Sequence, residues 1–391
     1  MRILIDAKFL THPQVGGFKT YVECLVNALQ KVRGSDEYIL CVDRADHNRI
    51  SHLQGEGFKV VINHSRVPVI REVIREQYNF ARIAHAESPD IVHFTCNTGS
   101  LNLRRPYVLT LHDVLALNNP YFRFERPLRR SIWAYIQALY QSIVIPRVVY
   151  KAACIITVSE YQKKLIANRL CVSPDHIHVV YEAASEAFRR FSDDEEHQWN
   201  DILHAKYGIT KGYVLAVGSK PEKNIPGLLR AYAVVHARCE DTPLLMLIVP
   251  HRAAWRSIES LTEKLGIGGC VAMLSGIPSS DLVGLYNLAQ LFVFPSLHEG
   301  FGLPPLEAMA CGTPVVAANS SSLPEVVGDA ALLVDPYDVG DIAKGILNVL
   351  TRPDLRYALV QKGFDRVKQF SWDITAKRTV EVYHEAISNI G

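Results

Sequence analysis

Two glutamates bracket the segment Glu299-Gly-Phe-Gly-Leu-Pro-Pro-Leu-Glu307, with seven residues between them. The apolar run 291–294 ends at Pro295, glycines punctuate the loop that follows, Pro304 and Pro305 open a helix that Gly312 closes, and 315–318 begins another apolar run. This order predicts strand, loop, helix, strand, with Glu299 before the helix and Glu307 in its first turn. Carboxylates accept hydrogen bonds from sugar hydroxyls, and backbone N–H groups at a helix start attract an anion. A crevice so furnished suits a ligand carrying both hydroxyls and phosphates. An ordinary capped strand-to-helix turn shares the local pattern, so residues elsewhere must decide.

Three other places carry suitable chemistry. The run 213–217 leads into a loop holding Ser219, Lys220 and Lys223; lysines are point charges suited to a diphosphate. Gly16 and Gly17 sit between a strand at 2–5 and a helix at 21–29, where paired glycines let backbone approach a phosphate or simply make a tight turn. The run 107–111 ends at His112-Asp113, a strand-end position of the kind that binds ligands in open α/β sheets, although a lone His there is also an ordinary capping residue. No DxD or other carboxylate cluster at a strand end would hold a divalent cation, so no metal and no cofactor are expected. Together these residues fit transfer of a sugar from a nucleotide-diphosphate donor. Positive charge grows at the anomeric carbon, and fixed cations stabilise the leaving diphosphate. Closure of the cleft would exclude water, the competing acceptor.

The elements that must position these residues alternate strand and helix in both halves, which predicts two parallel-sheet α/β domains facing each other across a cleft. The 391 residues, 48% of them hydrophobic, suffice for two cores. The charged stretch 189–200, with Asp193-Asp-Glu-Glu196, reads as a solvated linker, and the boundary is expected between about 186 and 212. The expected domains are therefore 1–208 and 209–371, with two further helical segments at about 354–369 and 372–387.

Composition bounds the partners. A net charge of +2 gives no global pull toward nucleic acid. The eight cysteines are scattered, without CxxC or metal-type spacing, and read as reduced, hence cytoplasmic. The N-terminal strand, broken by Asp6, reads as neither a signal peptide nor an anchor, and no apolar run reaches the roughly 20 residues a spanning helix needs. Residues 122–151 carry Arg123, Arg126, Arg129, Arg130, Arg147 and Lys151 against the single acid Glu125, interleaved with Trp133, Tyr135 and Tyr140. Such a helix suits either an anionic membrane surface, at the inner face of the plasma membrane, or core packing with solvated arginines. A dinucleotide oxidoreductase is disfavoured, because no G-x-G-x-x-G follows the first strand and no P-loop occurs.

The two-glutamate motif, with Cys311-Gly-Thr-Pro-Val-Val316 after it and Gly16-Gly17, Leu109-Thr-Leu-His-Asp113, Val158-Ser159, Val217-Gly-Ser219 and Phe370-Ser-Trp372 in support, resembles the retaining glycosyltransferases of family four, group 1, over nearly the whole chain. The resemblance implies the GT-B architecture, two Rossmann-like domains, with the last helix from about Trp372 crossing back onto the first domain. It implies a donor site of Gly16, Gly17, Ser219, Lys220, Lys223, Ile277, Glu299, Gly300, Phe301, Gly302, Leu303 and Glu307. In it Glu307 takes the ribose, Glu299 the sugar, Lys223 the diphosphate and Gly16-Gly17 the distal phosphate, while residues 300–303 offer backbone N–H groups. His112, Glu299 and Lys223 are the implied catalytic set, with front-face attack and no protein nucleophile. The implied activity is a metal-independent hexosyltransferase of bacterial polysaccharide biosynthesis, using UDP-glucose and a glycan or lipid-linked acceptor. A GDP-mannose-dependent mannosyltransferase and a non-catalytic binding protein are the alternatives. One departure stands out: Ser219 and Glu222 occupy positions where the family commonly has an arginine, and Lys220 is the candidate replacement.

Overall fold

The computed structural model describes residues 1–12, 16–32, 34–44, 46, 50, 53, 57–63, 71–114, 132–239, 241–249 and 254–389, with backbone alone for 71 and 132–138. The chain forms two compact units, Met1–Glu182 with Trp372–Gly391, and Ala183–Ser371.

The first unit is built on seven parallel strands: β1 (Arg2–Asp6), β2 (Glu37–Val42), β3 (Phe58–Ile62), β4 (Ile91–Phe94), β5 (Tyr107–Leu111), β6 (Cys154–Thr157) and β7 (Ile177–Val179). Their order is β3-β2-β1-β4-β5-β6-β7. The central strands are apolar on both faces because helices cover both. One face takes the Gly17–Val32 helix together with the Trp372–Ser388 helix, which pack on each other. The other holds Phe80 and Ala84 beside Val144, Ile145 and Val148 of the Ile132–Lys151 helix. The direction of winding reverses between β1 and β4, and in such a sheet the crevice for a ligand lies outside the carboxyl ends of those strands.

The second unit repeats the plan with β8 (Tyr213–Val217), β9 (Leu245–Ile248), β10 (Val271–Leu274), β11 (Ala289–Phe294), β12 (Val315–Ala318) and β13 (Ala331–Val334), ordered β10-β9-β8-β11-β12-β13. Here the reversal lies between β8 and β11. The loops that follow these two strands are the two that carry Lys223 and Glu299.

Three features differ from the sequence expectations. The acidic run 193–196 is the first turn of a helix, Asp193–Tyr207, whose Ser192 and Glu195 form a reciprocal capping box. Acidic side chains there face the positive end of the helix dipole. That helix belongs to the second unit: Phe191 stacks on Trp199, Trp199 lies against Gly284, and Lys206 and Tyr207 both bond Asp281. The division therefore falls at Glu182/Ala183, before the expected 208/209. Finally, residues 71–87 form a helix with a π-helical centre, Arg75–Asn79. Arg75 and Glu76, neighbours in sequence, are both buried there.

Of the basic aromatic stretch expected over 122–151, the part through 131, with Arg123, Arg126, Arg129 and Arg130, lies outside the described residues. Among the described residues no helix is long and apolar enough to cross a membrane.

Candidate active site

In the second unit, β8 ends at Gly218, whose backbone has φ +134°. A Cβ at that position would meet Lys223 Cγ at 2.5 Å, so glycine lets the lysine stem fold over the strand end. Residues Pro221–Lys223 form a 3₁₀ turn, and Asn224, at φ 53°, passes the chain into the Ile225–Arg238 helix. The loop after β11 is tied to this turn: the Ser296 hydroxyl and the Leu297 N–H both donate to the Glu222 carbonyl, at 2.8 and 2.7 Å. Two loops far apart in sequence are thereby fixed as one surface.

On that surface Lys223 Nζ lies 2.6 Å from Glu299 Oε1 and 4.8 Å from the centre of the Phe294 ring. The side chains are 22% and 13% exposed, so the pair is half-buried and reachable. Glu299 is held in turn by its backbone, its N–H donating to Ser321 Oγ at 3.0 Å and its carbonyl accepting from Ser322. Lys220 behaves differently. It is 71% exposed and stands 3.9 Å from Glu222, a loose contact at the rim. Ser219 is partly exposed beside it.

Glu307 falls at the start of the second turn of the Leu303–Ala310 helix, one turn later than expected. It is buried, and its Oε2 accepts from the Tyr286 hydroxyl at 3.2 Å. Burial first, then the neighbouring carboxylate, raises the Tyr286 pKa, so this phenol stays a donor. The helix start is less rich in donors than expected, because Pro304 and Pro305 carry no N–H. Its cap, Gly302, has φ +124°, and a Cβ there would meet Leu323 Cδ2 at 2.8 Å. Phe301 is buried with its ring 5.7 Å from Phe370 in an edge contact, and Gly300 and Leu303 flank it. Ile277 follows the edge strand β10, two strands away from β8, beside Gly276. A concavity of about 490 Å³ bounded by Arg190, Gln290, Pro314, Arg356, Tyr357 and Phe364 lies at the opposite, amino end of β12 and shares none of these residues.

In the first unit, Gly16 and Gly17 open the Gly17–Val32 helix and are exposed. His112 follows β5 and is only 8% exposed. Its Nε2 lies 2.9 Å from the Thr95 carbonyl and its Nδ1 3.1 Å from Glu182 Oε1. A carbonyl can only accept, and a carboxylate accepts at the other nitrogen, so both ring nitrogens carry hydrogen and the ring is an imidazolium. Burial works against that charge, but the Cys96 sulfur and the Glu182 carboxylate outweigh it and the pKa is pushed up to about 10. Edge contacts to Tyr21 and Phe18, at 4.5 and 5.0 Å, place aromatic rings around the cation and join His112 to the residue after Gly17. His112 thus presents no unengaged ring nitrogen. It supplies a fixed positive charge.

Further along the same edge, Arg75 is fully buried and bonds Asp6, with Nη2 2.5 Å from Oδ1, and also Asp43. Glu76 accepts from Thr98 and Tyr140, both at 2.6 Å. His93 links Tyr383 and Thr110, and burial first, then the nearby His112 charge, brings its pKa down to about 3. Sequence reasoning missed Glu182, Tyr286 and this network. Glu182 lies three residues beyond β7, the last strand of its sheet, and a strand-end rule widened to that reach would have singled it out with His112.

A model described as "Glycosyl transferases group 1" matches residues 201–366, and one described as "Glycosyltransferase Family 4" matches 15–185. The chain is 30% identical to O-antigen chain mannosyltransferase B of Escherichia coli over 98% of its own length and 99% of that protein's. It is also 30% identical to MMP alpha-(1->4)-mannosyltransferase of Mycolicibacterium hassiacum, over 77% of this chain and 72% of the other. Among solved structures it resembles sucrose-phosphate synthase of Thermosynechococcus elongatus (TM-score 0.75, 19% identity, 99% of each chain). HepE of Anabaena in complex with UDP and glucose is similar as well (TM-score 0.71, 18% identity, 98% and 99%). These two likenesses establish the GT-B fold.

Proposed function

The chain belongs to the group 1 glycosyltransferases, and from that premise we propose that it is a retaining mannosyltransferase. It draws mannose from GDP-mannose and extends a glycan or lipid-linked saccharide in polysaccharide assembly. The observation that carries the site is the Lys223–Glu299 pair where the winding of the second sheet reverses. The mannosyl preference rests on the two relatives of 30% identity, both mannosyltransferases by name. UDP-glucose, the donor expected from sequence, is the competing reading.

The pair is reachable though mostly buried, and a diphosphate that takes the place of Glu299 gives Lys223 one charge-assisted partner in exchange for another. The donor then takes Lys223 for its diphosphate and releases Glu299 to accept from the sugar hydroxyls. Glu307, held by Tyr286, accepts from the ribose. As the anomeric C–O bond to the diphosphate breaks, Lys223 stabilises the growing negative charge on the leaving oxygen. The acceptor hydroxyl attacks on the same face and passes its proton to that phosphate oxygen. No protein nucleophile and no metal take part. His112 contributes charge rather than proton transfer, since both of its N–H groups are committed. A lipid-linked acceptor would bring the enzyme to the inner face of the plasma membrane, through the basic stretch 122–151.

The discriminating experiment offers the purified chain GDP-mannose, UDP-glucose and UDP-galactose, with and without a mannan oligosaccharide, and reads nucleotide release and product anomeric configuration. GDP release with an α-linked mannose product is expected. Turnover with UDP-glucose alone would reassign the donor. Binding without release for every donor would favour the non-catalytic alternative, which Ser219 and Glu222 keep in play.

A further inference from the structure

We infer that the first unit holds a transition-metal site, of the zinc type, formed by Cys154, His178 and Glu385. One atom from each, the thiol sulfur, an imidazole nitrogen and a carboxylate oxygen, lies within 4.8 Å of the other two. The residues come from β6, β7 and the Trp372–Ser388 helix. Ile156 pairs with His178 in the parallel ladder, and Cys154 stands two residues before Ile156, so Cys154 and His178 project from the same face of the sheet. That helix packs against β5 and β6 and delivers Glu385 to them.

An independent observation concerns the histidine. His178 Nε2 is buried and has no hydrogen-bond partner. Glu385 Oε1 is near it, at 3.5 Å. Leaving a buried polar atom unsatisfied costs about 1–3 kcal/mol, and the Cys154 sulfur close by is buried and in no disulfide. An ion among these three atoms would satisfy all of them at once. Tetrahedral zinc with these ligands sets them about 3.3–3.8 Å apart. The adjustment falls on Glu385, whose side chain is 47% exposed and can move, and a water completes the fourth position. One thiolate, one imidazole and one carboxylate select zinc or cobalt over magnesium or calcium.

The site lies apart from the chemistry of transfer. Val108 pairs with Cys154, and His112 lies four residues beyond Val108, about 13 Å along the strands. Its role is to fasten the Trp372–Ser388 helix to the edge of the sheet. No spacing rule could reveal it, because the ligands stand at positions 154, 178 and 385.

Full-length protein stripped with a chelator and titrated with Co²⁺ tests the site. One equivalent should give a thiolate-to-cobalt charge-transfer band and tetrahedral ligand-field absorption, both displaced by Zn²⁺, and Zn²⁺ should raise the melting temperature. Cys154→Ser should abolish the charge-transfer band, and Glu385→Gln, at a half-exposed position that leaves folding intact, should weaken Co²⁺ binding at least roughly tenfold. Absence of the band in the wild type, or its survival in Cys154→Ser, overturns the site. Should Cys154→Ser fail to fold, Glu385→Gln decides alone: unchanged Co²⁺ affinity overturns the proposal, and weakened affinity supports it.

Discussion

The carboxyl edges of the two sheets carry similar residue types and use them in opposite ways. In the first unit the charges are cancelled within the protein: Arg75 by Asp6 and Asp43, His112 by Glu182. In the second, Lys223 and Glu299 form one pair that solvent and a ligand can reach. Buried charge needs its partners to stay, because removing either strands the other in a poor dielectric. Half-buried charge can change partners at small cost. The first edge is therefore a rigid electrostatic frame, and the second is the edge whose charges are placed to change partners, as the proposed function requires.

Breaking a buried pair tests the comparison most severely. Arg75→Ala leaves Asp6 and Asp43 uncompensated and should lower unfolding stability by about 3–5 kcal/mol, measured by urea titration; a loss below about 1 kcal/mol would mean that this edge is not the frame described. Lys223→Ala should leave the melting temperature nearly unchanged while reducing kcat/KM roughly 10²–10³-fold, as expected when a group acts on charge in the transition state. Glu307→Gln, which keeps the bond to Tyr286, should raise the donor KM about 10–100-fold with a smaller change in kcat; an unmoved KM removes the ribose assignment.

The next test is one of pH. His112 has a folded-state pKa of about 10 against an ordinary 6.5. A raised pKa contributes stability that is complete below the ordinary value and is lost as pH climbs through the folded one. Stability measured at about pH 7 and about pH 9.5 should therefore fall more in wild type than in His112→Gln, and parallel losses would show a neutral ring. The smallest effect concerns Lys220. At 71% exposure and 3.9 Å from Glu222, Lys220→Ala should change donor KM less than about threefold if Lys223 alone grips the diphosphate. A loss comparable with that of Lys223→Ala would instead make Lys220 the substitute for the family's arginine.

Much of this molecule could be read from its sequence. Apolar runs marked the strands because parallel strands buried on both faces leave no alternation to obscure them. The residues now gathered at the second edge were named individually. Their pairing was not readable: Lys223 meets Glu299 across 76 positions, and the bond depends on Gly218 adopting a backbone that admits the lysine stem. The helix at 71–87 went unseen because Arg75 and Glu76 look like surface residues, and the π-helical turn that buries both has no signature in periodicity. The helix at Asp193–Tyr207 was a different failure, since Ser192 followed three residues later by Glu195 is a helix-start signal that the acidic run concealed.

The crossing of the chain at Ser371/Trp372 has a consequence for how the protein is made. The second unit is one uninterrupted segment, 183–371, and has everything it needs once residue 371 has emerged from the ribosome. The first unit begins earlier yet is completed later. Until the Trp372–Ser388 helix arrives, Tyr21 lacks the ring of Trp372, and His93 lacks the hydroxyl of Tyr383. During synthesis the sheet that was translated first must wait, with one face only partly covered, while its younger neighbour finishes folding.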